Sequence, residues 1–271
     1  MARLRSLQLR RHVTLLLVYF VQYVKVRVSY RADFLIGLAT SVAATVFALG
    51  FVFVLFSKIP RLSDWRFEEV LFLYGFSLIP FGLFNVLSFN LYEFGSAYII
   101  EGKFDRVLLR PVGSLFQVLF ETFRIESFHE VLLGIVVVAW AARRLAIHWT
   151  LADAALLLGF GLCGGVIYIA VFLLLTSVTF WFEDRIGIHP PAWNLIAFGR
   201  YPLSIYSGSI QFFLSWIIPF GFATFYPSVR LLHRDEFHSY APLVPVVAAA
   251  FLALALFSWS RGVRHYASTG S

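Results

Sequence analysis

Residues 121 to 130 read ETFRIESFHE and bring carboxylates, a guanidinium, a hydroxyl and an imidazole together. Ser127, His129 and Glu130 are the parts of a hydrolytic site. On a helix, however, a serine two residues from a histidine points away from it. No second histidine stands at metal spacing, and there is no HExxH. Tyr206 to Ile210 contains Ser207-Gly208-Ser209 but no GxSxG frame. His233 and His238 flank Asp235 and Glu236, while the other histidines are scattered. A GxxxxGK[ST] phosphate loop is missing, so this chain should not hydrolyse ATP itself. The expectation is no catalytic, cofactor or metal site on this chain.

What remains is charge in unusual surroundings. Of the 271 residues, 60% are apolar and 14% charged, and mean hydropathy is +0.80. Soluble proteins carry about 25% charged residues. The composition describes a polytopic membrane protein, in which ionisable side chains within spans are functional candidates. Glu121, Arg124 and Glu126 at the entry to an apolar run are such candidates, with Asn85 and Asn90 in the later half of another. Glu121 and Arg124 are spaced to pair. Glu126 and Glu130 repel and need partners from elsewhere.

A helical span needs about 20 mainly apolar residues. Phe34–Phe56, Val70–Tyr92, Ala154–Phe182 and about 208–226 come close to this; a segment from Leu115 joins them although only Val131–Ala142 is free of charge. Ala241–Trp259 is a shorter sixth. Pro80 interrupts the second, and Gly161 and Gly165 have the spacing for close helix packing in the fourth. Gln117, Glu121 and Arg124 fall on one helical face, predicting an amphipathic helix that runs into the third span. Pro190, Pro191 and Pro202 mark 183–207 as an inner connection.

The formal net charge of +7 sits beside the apolar runs, which points to anionic lipid headgroups rather than nucleic acid. Six spans place both termini on one side. With that side inside, the inner segments hold Arg3, Arg5, Arg10, Arg11, Lys25, Arg27, Arg31, Lys103, Arg106, Arg110, Arg185, Arg200, Arg261 and Arg264. The outer loops hold Lys58, Arg61, Arg66, Arg143, Arg144, Arg230 and Arg234. The bias favours cytoplasmic termini. Residues 1–31 lack a small-x-small cleavage site and read as a retained helix lying in the membrane interface.

Between the second and third spans stands IIEGKFDRVLLRPV, residues 99–112. Glu101, Gly102 and Lys103 break the apolar run. Phe104 to Arg110 suffice for two helical turns, with Phe104, Leu108 and Val107 sharing a face. Pro111 ends the helix, because the residue before a proline disfavours helical geometry. Asp105 and Arg106 point elsewhere. Such a helix is a lever on both spans, or an ordinary charged loop on headgroups.

YRADFLIG (30–37), GKFDRVLLRPVGSLFQV (102–118) and FGRYPLSIYSGSIQFFLSWIIPFGFATFYPS (198–228) together resemble the ABC-2 type permeases, in their bacterial branch. The resemblance runs nearly the whole length. It implies an all-α domain over 1–271: a cytoplasmic interfacial helix (1–31), a six-span bundle (32–260) and a cytoplasmic tail (261–271). It implies an exporter-type subunit in the bacterial plasma membrane, paired with a second permease of the same or a related chain. Separate ATPase subunits, holding ATP and Mg, would dock on Glu101 to Arg110. It also suggests a re-entrant segment near the outer end of the fifth span, which Pro219, Gly221 and Pro227 would permit. An ion-coupled transporter or channel is the competing reading, and a lipid-modifying membrane enzyme a third.

Overall fold

A computed structural model describes residues 2–182, 187 and 189–267. Arg185, counted above as an inner cation, lies outside the described residues. The described chain is helical, with one isolated antiparallel bridge, Leu62 to Trp65. α1 (Ala2–Ser29) leads through Tyr30 into α2 (Arg31–Lys58). α3 (Phe67–Ser88) continues through a 3-10 turn and a π turn to Ile100. Then follow α4 (Lys103–Leu108), α5 (Ser114–Phe120), α6 (Phe128–Arg144) and α7 (Leu151–Phe182). The short helices α8 (His189–Leu195), α9 (Gly208–Phe212), α10 (Phe220–Ala223) and α11 (Phe225–Leu231) precede α12 (Val244–His265).

Among the described residues five helices are long and apolar enough to cross a membrane: Arg31–Lys58, Phe67–Ile100, Ile125–Arg144, Leu151–Phe182 and His238–His265. α3 is the axis of the bundle, enclosed on nearly every face. α6 runs antiparallel to it and α7 parallel. In hydrocarbon there is no hydrophobic force between helices, so small residues that admit close backbones decide the packing. A Cβ on Gly134 of α6 would lie 2.6 Å from the Gly75 carbonyl of α3. A Cβ on Gly164 of α7 would lie 2.5 Å from the Ala223 carbonyl and 2.8 Å from Pro80. Gly164 thus makes the closest approach in its run, between the Gly161 and Gly165 noted in the sequence. α2 differs: its side chains mostly face outward, Phe47 being 80% exposed.

One expectation fails between α7 and α12. The segment after the prolines is no surface connection. His189 meets Thr176 and Tyr92, and Trp193 packs among Phe81, Phe84 and Tyr92. Arg200 reaches Tyr74, and Ser204 accepts a hydrogen bond from the Trp65 indole at 3.0 Å. Residues 189–204 therefore climb along α3 toward the end of the bundle away from the termini. Pro190 and Pro191 sit in the first turn of α8, where a missing N–H is tolerated, and Pro202 precedes a 3-10 turn; the irregular backbone after α8 is tolerated at this depth because protein encloses it. The fifth span is bent beside Pro219, where the sequence allowed a break. Phe220 packs on Tyr168 at mid-depth, while the Leu231 carbonyl accepts from Trp149 at the far end. Residues 220–231 climb a second time, so the chain doubles back in between. Gly208–Ile217 and Phe220–Leu231 meet at 72°, as a re-entrant pair does. Trp65, Phe225 and Arg234 cap this end, Arg234 standing over the Trp65 ring and 3.1 Å from Glu69.

Gly164→Leu should cost about 1–3 kcal/mol or more by overpacking, whereas a Cβ at Gly159 meets nothing within 4 Å and Gly159→Leu should be near neutral. Thermal melting of the two detergent-purified variants checks the difference.

Candidate functional site

Gly102, with φ of 69°, turns the chain from the end of the α3 span into α4. This left-handed conformation suits glycine. α4 then anchors itself through Phe104, which has no exposed surface. Its ring lies 5.5 Å from Phe94, 5.2 Å from Phe180, 6.0 Å from Trp259 and 5.0 Å from Tyr266. These rings belong to the α3 extension, α7, α12 and the segment after α12. Tyr266 also donates to Asp105 at 3.0 Å. Burial and that hydrogen bond push its phenol up to about 12. From the other side, buried Gln117 of α5 donates to the Val107 and Val112 carbonyls at 3.0 and 2.9 Å.

The packed face of α4 is centred between Phe104 and Val107, and this corrects the sequence reading at Leu108, which is turned outward. Leu109 is 85% exposed, and Arg106, Arg110 and Pro111 are exposed beside it. Lys103 pairs with Glu101 at 2.9 Å. Lys103, Arg106 and Arg110 surround a cleft of about 160 Å³ that Glu121 closes.

The entry to α6 is not one amphipathic helix. α5 stops at Phe120, and residues 121–124 are irregular before a 3-10 turn at Ile125–Ser127. Asn90 causes this break: its amide donates to the Val118 and Thr122 carbonyls at 2.9 and 3.4 Å and its carbonyl accepts from the Thr122 hydroxyl. The Arg124 amide crosses to Val86 of α3 at 3.2 Å. Gln117, Glu121 and Arg124 therefore share no face. Glu121 and Arg124 find separate partners: Glu121 accepts from Tyr98, and Arg124 stacks on Phe89 at 3.6 Å. Glu126 holds α1, accepting from Arg27 at 2.9 Å and Tyr23 at 3.1 Å. Burial raises the Tyr23 phenol, which keeps it a neutral donor.

Deeper in the bundle is a polar cavity of about 260 Å³. α2 gives it Ser41, Ala44, Thr45 and Ala48, and α3 gives Leu78, Phe81 and Asn85. Arg124, Ser127, Glu130, Trp193 and Arg200 complete the wall. Asn85 donates to Glu130 at 2.9 Å, both being buried. Of the expected pathway residues, the fold brings Asn85 and Arg124 to this cavity. Asn90, Glu121 and Glu126 serve contacts between helices. Arg200 was misassigned to an inner loop. The signal for it was there: a lone cation inside an apolar run is a mark of an intramembrane charge.

A sequence model described as ABC-2 family transporter protein matches residues 42–270. The chain belongs to that family. No curated protein and no solved structure matches it. The match takes in the whole of α4 and every cavity residue except Ser41. This ABC-2 permease is a membrane transport subunit and not itself an ATPase.

In the permease, Phe104→Ala removes the anchor of α4. The expected cost is about 3–5 kcal/mol, read as faster amide exchange in residues 103–110 with the long spans unchanged. The hold of Tyr266 has a definite pH window. Its phenol is raised in the folded state, so its contribution is complete below the ordinary tyrosine value of about 10. It is lost as pH rises through about 12. The protection of α4 amides, measured relative to the base-catalysed exchange of an unfolded chain, should fall across that window, and Tyr266→Phe should remove that fall.

Proposed function

We propose that the permease is the membrane half of an ATP-driven exporter in a bacterial plasma membrane. A second permease, of the same or a related chain, completes the pathway. Separate ATPase subunits bind ATP and Mg and dock on residues 101–110. Both termini are cytoplasmic in this reading, and α1 lies in the interface. The carrying observation is the two-sidedness of α4. Its inner face is locked to three spans through Phe104, while its outer face exposes Leu109, Arg106 and Arg110.

An acidic, partly apolar groove on the ATPase complements that face. When ATP closes the ATPases, the push on α4 passes to α3, α7 and α12 together. α2 touches this block lightly and is free to part from it. ATP supplies the bias by binding the closed state more tightly than the open one.

Glu130 and Arg200 at membrane depth favour a second reading, an ion-coupled transporter, which would need such groups. It predicts transport that follows an ion gradient without nucleotide.

Arg106→Glu combined with Leu109→Asp changes only exposed side chains. It should leave the melting temperature unchanged and reduce co-purification of the ATPase at least tenfold, with transport falling in parallel. Unchanged transport with the ATPase lost would favour the ion-coupled reading instead.

A further inference from the structure

The polar cavity holds charges that do not neutralise one another. Arg124 and Arg200 bring two positive charges and Glu130 one negative. No ion pair joins them among the described residues. The Arg124 guanidinium lies over Phe89 and Arg200 over Tyr74 and Phe81. Ring stacking occupies the flat faces and leaves the N–H groups at the edges. Of these, the one hydrogen bond among the described residues is from Arg200 to the Tyr74 hydroxyl, at 3.3 Å.

The acceptors are short of donors in the same way. Asn85 is 4% exposed and its Oδ1 has no partner. Glu130 accepts from Asn85 with Oε2, and Oε1 takes no hydrogen bond among the described residues. Buried polar groups left in this state are costly, and a ligand that satisfies them removes that cost. The cavity thus shows unused donors on two guanidiniums and unused acceptors on Asn85 and Glu130. Its complement carries both an anionic group and an ammonium.

We propose that this cavity binds an aminoalkyl phosphate, the group found in zwitterionic phospholipid headgroups and in free phosphoethanolamine. The phosphate takes a guanidinium edge, of Arg200 or Arg124, a task that forked guanidiniums suit. The ammonium takes Glu130 Oε1 and Asn85 Oδ1. About 260 Å³ is far more room than one water needs. The α2 wall is the loosely held one. One hydrogen bond, Thr45 to His129 at 3.2 Å, ties it to α6 beside the cavity. A ligand therefore has a sideways route past α2 from the bilayer. The inference does not depend on ATPase coupling and goes beyond it.

The test uses the full chain in detergent micelles. For the lipid source, native mass spectrometry follows retention from an equal mixture of phosphatidylethanolamine and phosphatidylglycerol with matched acyl chains. For the free source, calorimetry follows soluble phosphoethanolamine. The proposal expects at least fivefold preference for the ethanolamine lipid, or saturable binding of the soluble compound; whichever arm responds names the source. Glu130→Gln should abolish the preference for the ammonium. Ala44→Trp fills the cavity from α2 without touching its charged groups and should reduce binding at least tenfold. Equal retention of both lipids with no binding of the soluble compound overturns the proposal. So does binding that survives Ala44→Trp.

Discussion

The burial of one ring, Phe104, is the contact on which the arrangement of this permease depends. Six residues of helix would not hold their shape in water, since isolated short helices are unstable. α4 exists because Phe94, Phe180, Trp259 and Tyr266 enclose that ring. The same cage gathers the ends of α3, α7 and α12 that lie beside α4. A contact that stabilises the short helix therefore also makes it a rigid part of three spans. Without the cage, the charged stretch after Ile100 would be a loop, and force applied to it would go nowhere.

Lipid explains why the rest divides into a tight block and a loose helix. Where hydrophobic attraction between helices is absent, association rests on close backbone approach and on polar links. α3, α6 and α7 have both, through Gly75, Gly134 and Gly164 and through Asn85 with Glu130. α2 carries Gly37 and Gly50, but a Cβ on either would meet nothing within 4 Å. Beside the cavity it is tied to α6 through Thr45 and His129, and α1 before it through Arg27 and Glu126. The polar cavity opens along this seam. The site with unsatisfied charge and the helix most able to move are thus neighbours.

Much of this was legible in the sequence, and the failures have physical reasons. Span positions followed from apolar runs, because a bilayer demands length and lack of charge. The break at Gly102 and the short helix after it followed from local residue types. The cage did not, since Phe104 and Trp259 are joined only by tertiary packing. The residues from His189 to Tyr206 were misread because prolines mark surface turns in soluble proteins. Here Pro190 and Pro191 instead begin the short helix α8, which protein encloses at membrane depth. Arg200 was miscounted with them. The face shared by Gln117, Glu121 and Arg124 assumed an unbroken helix, which Asn90 ends by capturing the carbonyls of Val118 and Thr122. A single sequence cannot show such a distant competitor for backbone hydrogen bonds.

The most direct test of the central claim is a pair of distances by double electron resonance in the assembled complex, with and without ATP. One pair of spin labels joins Leu109 to Arg261 and the other joins Leu109 to Leu35. If α4 is fixed to the block, the first distance stays constant when ATP binds while the second changes. A first distance that shifts on ATP binding would show α4 moving by itself, and would contradict the account.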